Sequence, residues 1–112
     1  MTLFEFGNVV LVPFPFTDQS GTKLRPAAVV SSEVYHHHRP DLLLMPITSQ
    51  MSAVIRFGDV PLKDWRSAGL LMPGLVKPLI FTLEASLVRK RLGVMVEDDA
   101  RLLRHGIAQL LG

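Results

Sequence analysis

Apolar residues along the first 85 positions come in runs of strand length cut apart by prolines and glycines, and then recur at helical spacing towards the C-terminus. Residues 8–16 (Asn-Val-Val-Leu-Val-Pro-Phe-Pro-Phe) are β-branched and aromatic and read as a first strand. Pro13 and Pro15 cannot donate to a ladder, which predicts an edge or a bulge for its second half. Residues 17–24, with Asp18, Gln19, Ser20 and Gly21, form a polar loop too long for a tight hairpin. Residues 25–32 return as a second apolar strand. A polar connection over 32–41, containing His36, His37 and His38, leads to a third strand over 42–47. Residues 54–62 alternate loosely and predict a fourth. Asp64-Trp65, Gly69 and Pro73-Gly74 then break the chain before one or two further strands over 75–83. From Glu97 onward Leu103, Ile107 and either Leu110 or Leu111 recur at helical spacing, with Arg101, Arg104 and His105 elsewhere on the wheel. Glu97, Asp98 and Asp99 gather where the positive end of that helix's dipole should lie, and Gly112 closes it. Five or six short strands and one helix predict a mainly β fold with a C-terminal α-helix: a strongly bent sheet or partly open barrel with the helix over an open side.

Composition narrows the chemistry. The 112 residues fit one domain over 1–112, and 48% hydrophobic against 20% charged residues excludes an intrinsically disordered chain. With no cysteine there is no disulfide, thiolate metal site or cysteine nucleophile. No basic segment precedes an apolar core at the N-terminus, and no apolar run approaches the roughly 18 residues of a membrane span. Those features predict a cytoplasmic protein with no membrane partner. The net charge of +2, from 12 Lys plus Arg against 10 Asp plus Glu, permits a nucleic-acid partner without demanding one.

No Walker loop, dinucleotide glycine pattern, His-Glu-x-x-His or Gly-x-Ser-x-Gly occurs. Instead, Lys23-Leu24-Arg25-Pro26 opens the second strand and Pro46-Ile47-Thr48-Ser49-Gln50 closes the third. If these strands pair antiparallel, Arg25 and Thr48 become neighbours. A planar guanidinium fork beside a hydroxyl donor then makes an anion site suited to a phosphate. Taken singly, Arg25 is a surface arginine at a strand start and Thr48 a threonine ending a strand. Three consecutive histidines cannot all point one way, so residues 36–38 read as a polar loop, positive below about pH 6.5, ahead of any metal site. Arg89-Lys90-Arg91 reads as a solvated face that can add to the electrostatics of a groove. Trp65 and Tyr35 suit either a core or the stacking of an unpaired base. Leu70, Leu71 and Met72 exceed what one small barrel buries, which predicts a dimer.

Three stretches in order, Phe6-Gly7-Asn8-Val9-Val10-Leu11-Val12-Pro13-Phe14-Pro15-Phe16-Thr17, the Lys-Leu-Arg-Pro-Ala-Ala-Val-Val-Ser of 23–31, and Pro46-Ile47-Thr48-Ser49-Gln50, resemble the MazF/PemK family of toxin endoribonucleases. The likeness extends to Gly58-Asp59-Val60-Pro61-Leu62, Phe81-Thr82-Leu83-Glu84 and the C-terminal helix. The resemblance implies an SH3-like twisted barrel and a homodimer. It also implies cleavage of single-stranded RNA without a metal or other cofactor, leaving a 2',3'-cyclic phosphate and a 5'-hydroxyl, and an antitoxin partner laid over the RNA groove. The arginine of the family's Arg-Pro motif falls on Arg25, and the hydroxyl after its third strand on Thr48, with Ser49 beside it. An arginine is a poor general base, so proton transfer falls to Asp18, Gln19 or Glu84. Asp18, Gln19, Lys23, Ser49, Gln50 and Lys77 are the expected RNA contacts. Where some members carry a site arginine this chain has Phe81, and Lys77 just upstream is a replacement charge. Two rival readings are a non-catalytic inhibitor on the same barrel, as the gyrase-poisoning CcdB toxins are, and a degenerate member that binds RNA or its partner without cutting.

Overall fold

The computed structural model describes residues 3–14, 23–49 and 54–112. Strand β3 (Asp41–Ser49) organises the molecule: its nine residues serve β6 (Phe81–Glu84) along the first half and β5 (Gly74–Val76) along the second, with β2 (Leu24–Val29) on its other side. From β2 the sheet continues to β1 (Asn8–Pro13) and β7 (Lys90–Val94), and β4 (Val60–Pro61) extends it beyond β5. Every pairing is antiparallel, and β4 and β7 terminate the path without meeting, so the sheet is bent and open. The mainly β architecture with a C-terminal helix, α2 (Glu97–Leu111), is the one read from the sequence.

Both faces of the bent sheet are covered, as the apolar strands require. One core gathers Val9, Ala28, Met45, Ile47, Val60 and Val76 beneath α2, which contributes Leu103 with Leu102, Ile107 and Leu110 packed around it. Of the two alternatives at the helix end, Leu110 packs inward and Leu111 is exposed. The other core places Val10, Val12, Ala27, Val29, Leu42 and Leu44 against Phe81, with Phe4 and Phe14 packed alongside.

Several boundaries differ from the sequence reading for identifiable reasons. The connection over 32–41 contains a short helix, α1 (Glu33–His38), because Ser32 Oγ accepts the Tyr35 N–H at 3.1 Å as an N-cap and Pro40 stops the helix one residue beyond Arg39. The expected strand over 54–62 shrinks to β4. Residues 75–83 divide into β5 and β6 because Lys77 to Ile80, with Pro78 among them, leave the sheet. β1 is an interior strand over its first half, between β2 and β7, and its second half, past Leu11, has only β2 beside it, the edge position expected from its prolines. Pro13 lies past its last β7 pair, Leu11 with Lys90, so its missing N–H costs no ladder bond.

Candidate functional site

The β2–β3 register pairs Ala27 with Pro46, and carrying it two residues towards the start of β2 brings Arg25 level with Thr48. Both residues, with Ser49, rim a groove of about 570 Å³. Its floor is Leu11, Pro26 and Ile47 from three successive strands, Leu92 of β7 closes one side, and residues 69–74 form the wall. The antiparallel meeting expected from sequence is therefore present, and its surroundings are largely apolar.

Arg25 is held from below. Its guanidinium lies 5.5 Å from the Phe14 ring centroid, and Phe14 meets Phe81 edge to face at 5.6 Å. Phe81, read from sequence as a missing charge, is a buried residue of the second core. It props the aromatic on which Arg25 rests. Arg25 Nε is buried with no hydrogen-bond partner among the described residues. Buried donors are ordinarily paired, which makes this unpaired Nε the exception among the described side-chain polar atoms. Thr48, half-buried at the end of β3, adds a hydroxyl to the same rim.

The wall is fixed from behind by features that sequence reading missed. Gly69 has φ +82°, and a Cβ there would stand 2.0 Å from the Leu92 carbonyl oxygen; one on Gly93 would stand 2.5 Å from the Ala68 carbonyl carbon. Glycine at both positions lets the 67–69 backbone lie directly on β7. Asp99, buried in the first turn of α2, accepts the N–H groups of Lys63 and Asp64 at 3.1 and 2.9 Å and ties the start of this loop to the helix. Nothing local in the sequence marks an acidic residue in a helical first turn as the partner of a loop 35 positions away.

The other expected site residues are dispersed. Lys23 is exposed just before β2, where its carbonyl accepts the Phe14 N–H at 2.9 Å. Lys77 does not line the groove: its Nζ lies 2.8 Å from Asp59 Oδ1, and the Asp59 side chain is almost wholly buried. Burial pushes the Asp59 carboxyl up, but the Lys77 hydrogen bond, the Arg56 N–H and the nearby positive charges hold it below the usual carboxylate range. Lys77 is thus committed to a structural pair. Glu84 faces Asp41 at the other end of β3, seven residues from Thr48, or about 23 Å of strand at about 3.3 Å per residue. The structure does not bring Glu84 to Arg25, which removes it as a proton carrier beside that arginine within one chain. Asp18, Gln19 and Gln50 lie outside the described residues. Trp65 packs on the first core under Arg66, and the Tyr35 hydroxyl donates to Asp41 at 2.8 Å. Neither lines the groove. Among the described residues no group of three or more His, Cys, Asp or Glu is placed to hold a metal ion. No described helix is long and apolar enough to cross a membrane.

Fold and groove together define a class: small, open antiparallel sheets covered by a C-terminal helix, with an arginine and a threonine on adjoining strands among the residues that line one groove. The family profile of PemK-like, MazF-like toxins of type II toxin–antitoxin systems matches residues 5–111, and the chain belongs to that family. Among solved structures it is similar to MazE–MazF from Deinococcus radiodurans, at 23% identity and TM-score 0.76 over 99% of this chain and 98% of that one. It is also similar to an endoribonuclease in complex with its cognate antitoxin from Mycobacterial species, at 16% identity and TM-score 0.75 over 97% and 95%. The Mycobacterium tuberculosis toxin MazF-mt6 aligns at 18% identity and TM-score 0.70 over 91% and 93%. At these identities the likeness is one of fold. No curated protein matches the chain in sequence.

Proposed function

We propose that this protein is a sequence-selective endoribonuclease toxin that cleaves single-stranded RNA without a metal and is neutralised by a cognate antitoxin. The observation that carries the reading is the meeting of Arg25 and Thr48 on one groove rim, with Arg25 Nε buried and unpartnered among the described residues. In the reaction the ribose 2'-oxygen bonds to the adjacent phosphorus, the bond from phosphorus to the 5'-oxygen breaks, and negative charge grows on the non-bridging oxygens. Arg25 and Thr48 are donors fixed where that charge develops, the arrangement that contributes most to such catalysis. The products are a 2',3'-cyclic phosphate and a 5'-hydroxyl. The proton leaves the 2'-hydroxyl for a base and returns to the 5'-oxygen; Asp18 remains the candidate for these transfers, with Gln19 beside it in sequence as a hydrogen-bonding partner only, since Glu84 is at the far end of β3. Ser49 on the rim contacts the RNA backbone, together with the exposed Lys23 just before β2 and Gln50, which follows Ser49 in sequence.

Membership of the toxin family supports an antitoxin partner, as do solved relatives bound to theirs. The apolar groove wall, where Leu71 is 95% exposed, supports a homodimer. We place the protein in the cytoplasm, where its RNA substrate is found. The test is incubation of the purified protein with mixed RNA in EDTA, followed by mapping of 5'-hydroxyl ends. Arg25→Ala is expected to lower the cleavage rate by about 10²–10³ without loss of fold. A folded Arg25→Ala variant that still cuts near the wild-type rate overturns the assignment, and absence of cutting by the wild type favours the non-catalytic rival.

A further inference from the structure

Arg25 carries its charge without a carboxylate beside it: none of the ion pairs among the described residues includes it. What holds its guanidinium is aromatic. Val12 pairs with Arg25, and the Phe14 N–H donates to the Lys23 carbonyl at 2.9 Å, which carries the β1–β2 ladder past the last residue of β1. Phe14 is two residues from Val12 and shares its face, so it meets Arg25 on the diagonal across the two strands, within reach of a long side chain. There the guanidinium lies over the ring at 5.5 Å from its centroid, inside the distance at which a ring face attracts a cation. Phe81 opposes Leu44 at the start of β6 and packs in the second core, and its ring meets that of Phe14 edge to face at 5.6 Å. The contacts thus run from a buried ring through a half-buried one to the guanidinium.

Two ways of fixing an arginine differ in what they leave for a ligand. A carboxylate at hydrogen-bond distance takes up guanidinium donors and offsets the positive charge. A ring face attracts through its quadrupole, occupies none of the N–H groups and adds no formal charge. A cation that stabilises a phosphate in the transition state is better served by the ring, because its charge and its donors stay available where negative charge develops. We propose, resting on the nuclease reading above, that Phe14 is a positioning residue for the cleavage step. Its ring face, backed by Phe81, fixes the Arg25 guanidinium against the second core and leaves the whole of its charge to the scissile phosphate.

The test measures single-turnover cleavage of mixed RNA in EDTA and, in parallel, binding of a mixed-sequence 2'-O-methyl RNA hexanucleotide, which lacks the attacking hydroxyl. Phe14 is replaced by its mono-, di- and trifluoro analogues, which nearly keep the size of the ring and progressively withdraw negative charge from its face. The cleavage rate is expected to fall stepwise, by about 2–30-fold at the trifluoro ring, with hexanucleotide affinity unchanged. Phe14→Leu, which removes the ring, is expected to slow cleavage by a similar factor, and Phe14→Tyr to keep the wild-type rate. In an Arg25→Ala background the fluorinated series is expected to change nothing, since a residue that acts through another loses its effect when the other is gone. Fluorinated proteins that cut at the wild-type rate, while Arg25→Ala does not, overturn the role of the ring and leave the nuclease reading standing. A series that still slows the Arg25→Ala protein does the same, as does a loss carried by weaker hexanucleotide binding, the result of a ring stacked on a base. Wild-type protein that does not cut overturns both readings.

Discussion

Three consecutive histidines lose any common direction once residues 33–38 wind into a helix. His37 turns towards Glu33 at 3.6 Å, whereas His36 is buried with its Nε2 2.5 Å from Ser31 Oγ. Ser31 Oγ also accepts the Leu43 N–H at 3.1 Å, which ties α1 to β3. Burial lowers the His36 pKa below the ordinary 6.5, against the smaller opposing pull of the Phe4 carbonyl and the Glu33 charge. The unfolded chain therefore binds a proton more readily than the folded one. The stability owed to neutral His36 is complete above about pH 6.5 and is lost as the pH falls through its lowered value, by at most about 1.4 kcal/mol per pH unit. Urea unfolding between pH 7.5 and 5.5 is expected to show this loss, and His36→Gln to flatten it; equal slopes in both proteins would refute the assignment. Asp41, Asp59 and Asp64, whose pKa values are also lowered, act only at more acid pH.

Among the elements, α2 does more than cover a core. Its first-turn acidic cluster was legible as a complement to the helix dipole, but only the fold shows that Asp99 turns inward to hold the backbone of Lys63 and Asp64. Removing that carboxylate leaves two N–H groups without their acceptor, and Asp99→Ala is expected to lose about 1–3 kcal/mol. Asp99→Asn, which keeps an acceptor oxygen, is expected to lose less. Thermal or urea unfolding ranks the two variants, and equal stability of Asp99→Ala and wild type would show that the tie contributes nothing. The loop held in this way continues through Gly69 into the groove wall, so a tie 30 residues away in sequence from Gly69 helps to set the shape of the candidate site.

For the molecule as a whole, exposed apolar groups are what one chain leaves unfinished. Besides Leu71, Phe57 is 75% exposed and Met72 lies open beside the groove. Sedimentation at micromolar concentration is expected to give a two-chain species; a monomer would leave this apolar surface without the proposed partner. Much of the architecture could be read before any coordinates, because apolar runs of strand length and a late change to helical spacing report burial directly. The approach of Arg25 to Thr48 was legible too, because antiparallel order brings the start of β2 beside the end of β3. The amino-acid order thus determined the β body, the terminal helix and the rim of the groove. Tertiary structure decided the rest. Only three-dimensional packing turns Phe81 into a support for Arg25, commits Lys77 to Asp59, and separates Glu84 from Thr48 along the length of β3. Those outcomes depend on which face each side chain shares and with whom, and a linear pattern of polar and apolar residues does not specify its partners.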